Sequence, residues 1–314
     1  MNTTDINNQS IILKYLINQA LWDTVTWTQR SCVQRPEEPD YIAALVTRFT
    51  YSLYHILSAT FPRKDFSVSG VYCHQKPIVD IGKRKKPELG DFLLVYVDKD
   101  DYGERIYNSL LLQAKMSDKT EAKIRPNDFH QLELYRHWPK FTYYKAGHLN
   151  YQMRDIFPKT ICNGAQYLLI DSNAHIMDYV LDKNSYPMGC AFPDMWLRIN
   201  NSFSDELIEF LKFKTGRMFD DINNINDDWS QMIWDLLRMA INIYSRRKNL
   251  GLNSFPRRNE CIHLCLREIE DRSLIHSLSN QNIDESVYDE NVGVSVLLIE
   301  CLRDNRESED NYQE

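Results

Sequence analysis

The chain is 314 residues long, 43% hydrophobic and 26% charged, with few glycines and prolines, the composition of a globular protein that can bury one large core or two modest ones. A net charge of -7 excludes a chain held by polyanions as a whole, so any nucleic-acid affinity has to come from local basic patches. Seven scattered cysteines without a CxxC pair exclude a disulfide framework. No run of about 18 apolar residues and no leader-like N-terminus is present, so the expectation is a cytoplasmic protein without a membrane segment.

In chain order, "SIILKYLINQALWDTVTW" (10–27) carries apolar residues at helical spacing. A second helix is predicted over 37–61, where Ile42, Leu45, Val46, Phe49, Leu53 and Ile56 follow the i, i+3, i+4, i+7 pattern behind an acidic start and Pro39. Three strand-like runs follow, "FSVSGVYCH" (66–74), "DFLLVYVD" (91–98) and "RIYNSLLLQAK" (105–115). The last two are joined by a polar, glycine-containing hairpin turn. "PNDFHQLELYRHW" (126–138) reads as a helix capped by Asn127 or Asp128, and "AQYLLIDSNAHIMDYVL" (165–181) as another strand pair. Beyond residue 203 the pattern turns helical, in "SDELIEFLKF", in "DWSQMIWDLLRMAINIYSRR" and in short pieces ending in "VSVLLIECL" (294–302). Three divisions follow: an N-terminal helical segment over 1–35, an α/β core over 36–202 and a C-terminal helical region over 203–314.

The chemistry concentrates where Leu110, Leu111 and Leu112 run into Gln113, Ala114 and Lys115. In a strand Gln113 and Lys115 share one face and Ala114 takes the other. A lysine beside a core needs an escape to solvent or an anionic partner. If the hairpin pairs its strands antiparallel, Asp91 at the start of one lies beside Gln113 and Lys115 at the end of the other. A carboxylate and an amide oxygen suit Mg²⁺ or Mn²⁺, and the lysine suits an activated water or the charge on a phosphate.

This order of elements and residues resembles the PD-(D/E)xK nuclease superfamily, whose core runs αβββαβ. Asp91 matches its first acidic position, Gln113 a known variant of the second, and Lys115 the lysine. Gln131 and Tyr135 in "HQLELY" stand i and i+4 on the following helix and match the QxxxY element of RecB-like members. The resemblance spans about residues 36–182. It implies a restriction-endonuclease-like core, Mg²⁺ or Mn²⁺ held by Asp91 and Gln113, and a further ligand from the first core helix, where Glu38 is preferred to Glu37. It also implies a nucleic-acid substrate, DNA before RNA, cut as a homodimer or with a partner protein, in a bacterial restriction or anti-phage setting. Lys85 and Lys86 in "IGKRKKPELGD" and Arg217 in "TGRMF" are candidate phosphate contacts. Gln113 in place of a charged ligand, and Gly90 in place of a proline before Asp91, depart from the family pattern.

Plainer readings stand beside these. Lys115 can be a strand-end lysine reaching solvent, Asp91 a turn residue, and Gln131 and Tyr135 ordinary parts of an amphipathic helix. Glu88 reads as a solvated or supporting carboxylate, and His74 as a satisfied strand-end histidine. Arg246, Arg247 and Lys248 read as a solvated face. "CIHLC" (261–265) lacks a second ligand cluster and reads as buried thiols rather than a zinc site. The competing functions are a non-catalytic nuclease-fold subunit or nucleic-acid-binding scaffold, and a helical interaction protein in which the motif is accidental.

Overall fold

The computed structural model describes residues 1, 3–73, 77–99, 104–118, 121–159, 163–241 and 293–304. Helix α1 (Thr3–Ser31) leads to α2 (Glu38–Ala44), which passes through a π-helical turn (Leu45–Phe49) into α3 (Thr50–Thr60). The Thr50 hydroxyl donates to the Leu45 carbonyl at 3.1 Å within that turn. Strand β1 (Lys64–Val71) then passes directly beneath it. A Cβ at Gly70 would lie 1.7 Å from the Val46 carbonyl oxygen, so only glycine permits the approach.

The strands that follow are β2 (Ile78–Asp80), β3 (Phe92–Lys99), β4 (Arg105–Ser117) and β5 (Glu121–Lys123), before helix α4 (Phe129–His137). Next come β6 (Phe141–Lys145), β7 (Met153–Arg154), β8 (Ala165–Asp171), α5 (Ile176–Leu181), β9 (Met188–Ala191), β10 (Trp196–Arg198) and β11 (Asn201–Ser202). Helix α6 (Phe203–Leu211), β12 (Arg217–Phe219), α7 (Asp228–Ile241) and β13 (Ser295–Asp304) complete the described chain. The main sheet has the order β1-β13-β3-β4-β8-β9-β11, with β12 pairing β4. Strands β3 and β4 are antiparallel, with Phe92 opposite Leu112, and β4 and β8 are parallel. Two small sheets, β10-β5 and β2-β6-β7, flank it.

Both faces of the central strands are covered, which explains their continuous apolar runs. Along β3, Phe92, Leu94 and Tyr96 join the core formed with α1, α2, α3 and α6. Leu93, Val95 and Val97 join the opposite core, with α4, α7 and β6. Side chains of this kind, fully buried, contribute about 1.5–3 kcal/mol each. The second core also encloses an ion pair between β7 and α7. Arg154 donates to Asp235 through Nη2 at 2.6 Å and Nε at 3.2 Å, and the Tyr143 hydroxyl donates to the same carboxylate oxygen at 3.3 Å.

Two expectations are corrected. "VSVLLIECL", expected in a C-terminal helical region, is strand β13, antiparallel to β1 and parallel to β3. Among the described residues, the part after 203 is not a separate helical region: it supplies an interior strand, and α6 packs in the same core as α1 and α3. The strand pair expected over 165–181 is strand β8 followed by helix α5. The antiparallel partner of β8 is β9. His175 starts α5 by accepting from the Met177 N–H at 3.2 Å, and Asp178 accepts from the His175 N–H at 3.0 Å. Among the described residues, Cys32, Cys73, Cys190 and Cys301 form no disulfide, and no helix is long and apolar enough to cross a membrane. His74, Arg246, Arg247, Lys248, Cys261, His263 and Cys265 lie outside the described residues.

Candidate active site

The β3-β4 register determines the site. With Phe92 opposite Leu112, the preceding Asp91 reaches the end of β4, where its N–H donates to the Leu112 carbonyl at 3.0 Å. The Asp91 carboxylate accepts from the Ala114 N–H at 2.8 Å and from the side-chain amide of Gln113. Ala114 points into the core, so Gln113 and Lys115 both emerge on the other face and line a cleft of about 360 Å³. Glu38, Glu88, Asp91, Asp128, His130 and Gln131 line it as well.

Glu38 opens α2 and accepts from the Met116 N–H at 2.9 Å, which ties the helix start to the end of β4. Its neighbour Glu37 occupies the helix-capping position, where its own N–H donates to Asp40 at 2.8 Å. The expected capping of α4 is corrected. Asp128 stands at the N-cap without a side-chain cap bond, and its carboxylate lies 3.6 Å from the Lys115 ammonium. Lys115 therefore has an anionic partner at the cleft wall, in addition to the carboxylates deeper in.

Gln131 and Tyr135 separate in role. Gln131 is buried and faces the cleft. Tyr135 is fully buried below it, and its hydroxyl donates to the Leu89 carbonyl at 3.0 Å, pinning the segment that delivers Asp91. A Cβ at Gly90 would lie 2.7 Å from Leu111 Cδ1 and 2.9 Å from the Tyr135 hydroxyl, so the glycine before Asp91 is a packing requirement.

Four carboxylates face two ammonium groups, Lys86 and Lys115, across this cleft, and the local field favours a cation. Burial pushes the Asp91 carboxyl up to about 8; the negative charges of Glu88 and Glu38 add to the effect, while the Ala114 N–H and Lys115 oppose it. Asp91 as a residue keeps some accessible surface, yet its carboxyl is enclosed enough for desolvation to dominate. Glu88 is also raised, by burial first and Glu38 second, against the pull of Lys115. Burial holds His130 below its ordinary value, with Asp128 opposing.

Gln113 Oε1 is buried and has no hydrogen-bond partner. An unsatisfied buried acceptor typically costs about 1–3 kcal/mol, so this oxygen lacks a ligand that a hard cation would provide. Among the described residues, no three His, Cys, Asp or Glu side chains converge closely enough to hold a metal by themselves. Asp91, Glu38 and Gln113 line one cleft and carry the kind of oxygen donors that Mg²⁺ takes, an ion that keeps several waters and needs only one or two carboxylates beside substrate phosphate.

Of the candidate phosphate contacts, Lys86 lines the cleft, paired with Asp80 at 2.7 Å and 3.5 Å from the Tyr144 ring centroid. Lys85 is exposed and donates to Asn127 at 3.1 Å. Arg217 is not brought to the site. It donates to the Phe157 carbonyl at 2.7 Å, stands 5.0 Å from the Trp229 ring centroid, and pairs with β4 at Ser109. Ser109 is six strand positions from Lys115, about 20 Å. Asp128, expected only as a helix cap, and His130 are cleft residues that motif reasoning missed, and Glu88, read as a solvated or supporting carboxylate, lines the cleft with them. Glu88 carried a signal, three residues before Asp91 in "ELGD". No protein-family profile matches the chain, and no curated protein or solved structure matches it.

Proposed function

We propose that the protein is a metal-dependent phosphodiesterase of the PD-(D/E)xK type acting on nucleic acid. The observation that carries the reading is the convergence of Asp91, Gln113, Lys115 and Glu38 in one cleft, with Gln131 on its wall and an unpartnered amide oxygen inside it. The order α3, β1, β3, β4, α4, β8, with β4 and β8 parallel, is compatible with a restriction-endonuclease-like αβββαβ core into which β13 has been inserted. Asp91, Gln113 Oε1 and Glu38 would hold Mg²⁺ or Mn²⁺. When bound, the ion supplies Lewis-acid polarisation of a phosphoryl oxygen and a more acidic water. Lys115, kept at the cleft wall by Asp128, neutralises charge on the phosphate or steers the attacking water. Tyr135 acts through the Leu89 carbonyl and keeps Asp91 in place. Lys86, which lines the cleft beside Asp80, would meet a phosphate there. DNA as the preferred polymer, a homodimer or partner protein and a restriction or anti-phage role rest on the resemblance alone, and a cytoplasmic location on the scattered cysteines and the lack of a long apolar run.

The test is cleavage of plasmid, linear duplex, single-stranded DNA and RNA with Mg²⁺, Mn²⁺ or chelator, comparing wild type with Lys115→Ala. Metal-dependent cutting that falls about 10²–10³-fold in the variant is expected. Activity that persists in chelator or survives Lys115→Ala overturns the assignment. One observation favours a second reading, a non-catalytic nucleic-acid-binding scaffold: a single Asp91 oxygen already accepts two N–H groups, so the carboxylate is partly satisfied without an ion. Specific binding of nucleic acid with no cleavage under any metal would select that reading.

A further inference from the structure

A second, larger groove of about 820 Å³ adjoins the cleft and shares Glu38, Lys115 and Asp128 with it. Its far wall is the ribbon of β5 and β10, where Trp196 pairs with Lys123 across the two strands. The Lys123 ammonium lies 5.3 Å from the Trp196 ring centroid, and the indole is 47% exposed. Trp22, Trp138, Trp229 and Trp234 are all buried, which makes an indole held in water at a groove wall unusual in this chain. The ribbon that carries it is well anchored. Leu197, the next residue, is fully buried, and the Ile124 N–H donates to the Met195 carbonyl at 3.0 Å. Trp196 is therefore held outward in advance of any ligand.

We propose that this groove is the track of a single-stranded polynucleotide leaving the active site, with an unpaired base stacked on Trp196. The proposal rests on the phosphodiesterase reading for the identity of the polymer and names its substrate class. The exposed aromatic face decides between single strand and duplex. Arg35, Lys115, Lys123 and Arg125 face four carboxylates along the groove, so there is no surplus of cations to grip a duplex backbone. Lys115 and Asp128 already face one another, and Glu121 is engaged by Arg198 at 3.4 Å. What the groove offers instead is an aromatic face, which any unpaired base can use and which bases inside a duplex cannot reach. Arg35 and Arg125, both exposed, are placed to accompany the strand's phosphates.

The test measures binding in chelator, so that no strand is cut. The probes are fluorescently labelled 12-nucleotide oligodeoxythymidylate, oligouridylate of the same length and a 12-base-pair duplex. Wild type is expected to bind a single strand at least about 10-fold more tightly than the duplex. Trp196→Ala should weaken single-strand binding about 5- to 150-fold, and Trp196→Tyr should recover most of it. Intrinsic fluorescence quenching by oligodeoxythymidylate should be present in wild type and lost in Trp196→Ala. Tight binding of either single strand supports the track, and the ratio of the two identifies the sugar. Equal single-strand binding by wild type and Trp196→Ala, or equal wild-type affinity for duplex, overturns it. The two proposals fail separately. Trp196-dependent single-strand binding by a protein that cuts nothing removes the phosphodiesterase and leaves the groove. Metal-dependent cleavage with binding indifferent to Trp196 does the reverse.

Discussion

Asp91→Asn in metal-free protein is the sharpest perturbation of the candidate site. Burial, reinforced by Glu88 and Glu38, lifts the Asp91 carboxyl from 3.8 to about 8. A carboxyl whose folded pKa exceeds its unfolded one lets the folded state hold its proton at higher pH than the unfolded state does. The destabilisation is therefore absent below about pH 4, grows as pH rises towards about 8 and is constant above that. Each pH unit in the window corresponds to about 1.4 kcal/mol, so between pH 5 and 8 Asp91 destabilises the fold by at most about 4 kcal/mol. Partial relaxation that halves this figure leaves about 2 kcal/mol, or about 4 °C in Tm for a large single domain. Urea and thermal melts in EDTA at pH 5 and pH 8 provide the assay. The stability of the Asn variant relative to wild type should rise by about 2–4 kcal/mol between pH 5 and pH 8. Saturating Mn²⁺ at pH 8 should then stabilise wild type, by about 2.7 kcal/mol at a hundredfold excess over Kd, and leave the variant unmoved. A difference between the two proteins that stays constant from pH 5 to pH 8 would refute the reasoning, because the carboxyl would then ionise in the fold as easily as in the unfolded chain.

Other parts of the structure give further expectations. Gly90→Ala puts a methyl group 2.7 Å from Leu111 Cδ1 and 2.9 Å from the Tyr135 hydroxyl, and should destabilise by about 1–3 kcal/mol in urea titration. Combining it with Tyr135→Phe should return part of that loss, and a neutral Gly90→Ala contradicts the packing argument. Asp235→Ala leaves the buried Arg154 guanidinium and the Tyr143 hydroxyl without their shared acceptor, and should lower stability by about 3–5 kcal/mol. A loss below about 1 kcal/mol would mean the pair is solvated in solution. Truncation before Gly293 removes the strand between β1 and β3, and the product should lack a cooperative melt. A soluble, cooperatively unfolding truncation would show that β13 is dispensable.

How much of this was legible in the sequence depends on whether the deciding interaction is local. Strands β3 and β4 announce themselves by an apolar run, a polar hairpin turn and a second apolar run, and their antiparallel register places Asp91 beside Gln113 without further information. "VSVLLIECL" carries the same apolar signal without a local partner. Periodicity alone cannot separate a doubly buried strand from a buried helix, and the residues that decide, in β1 and β3, lie about 200 positions earlier. The same distinction explains Arg217, whose position is set by β12 pairing with the far half of β4.

Glu37 and Glu38 show the distinction within a single turn. The spacing of Glu37 and Asp40 is a helix-start pattern that reserves Glu37 for the backbone and leaves Glu38 for the sheet, where it meets the Met116 N–H. That choice was available locally. The cleft's negative character was not, because Glu88, Asp128 and Glu38 come from three separate segments that only the folded sheet gathers around Asp91. Their convergence changes what the lysine means. Lys115 is no strand-end residue reaching for water: it is one of two ammonium groups among four carboxylates, and on the proposed phosphodiesterase reading a bound hard cation would offset the negative charge that a phosphate otherwise meets. Metal and phosphate should therefore bind with positive coupling, so that a non-cleavable phosphodiester sharpens Mn²⁺ binding by wild type and does so far less in Asp91→Asn.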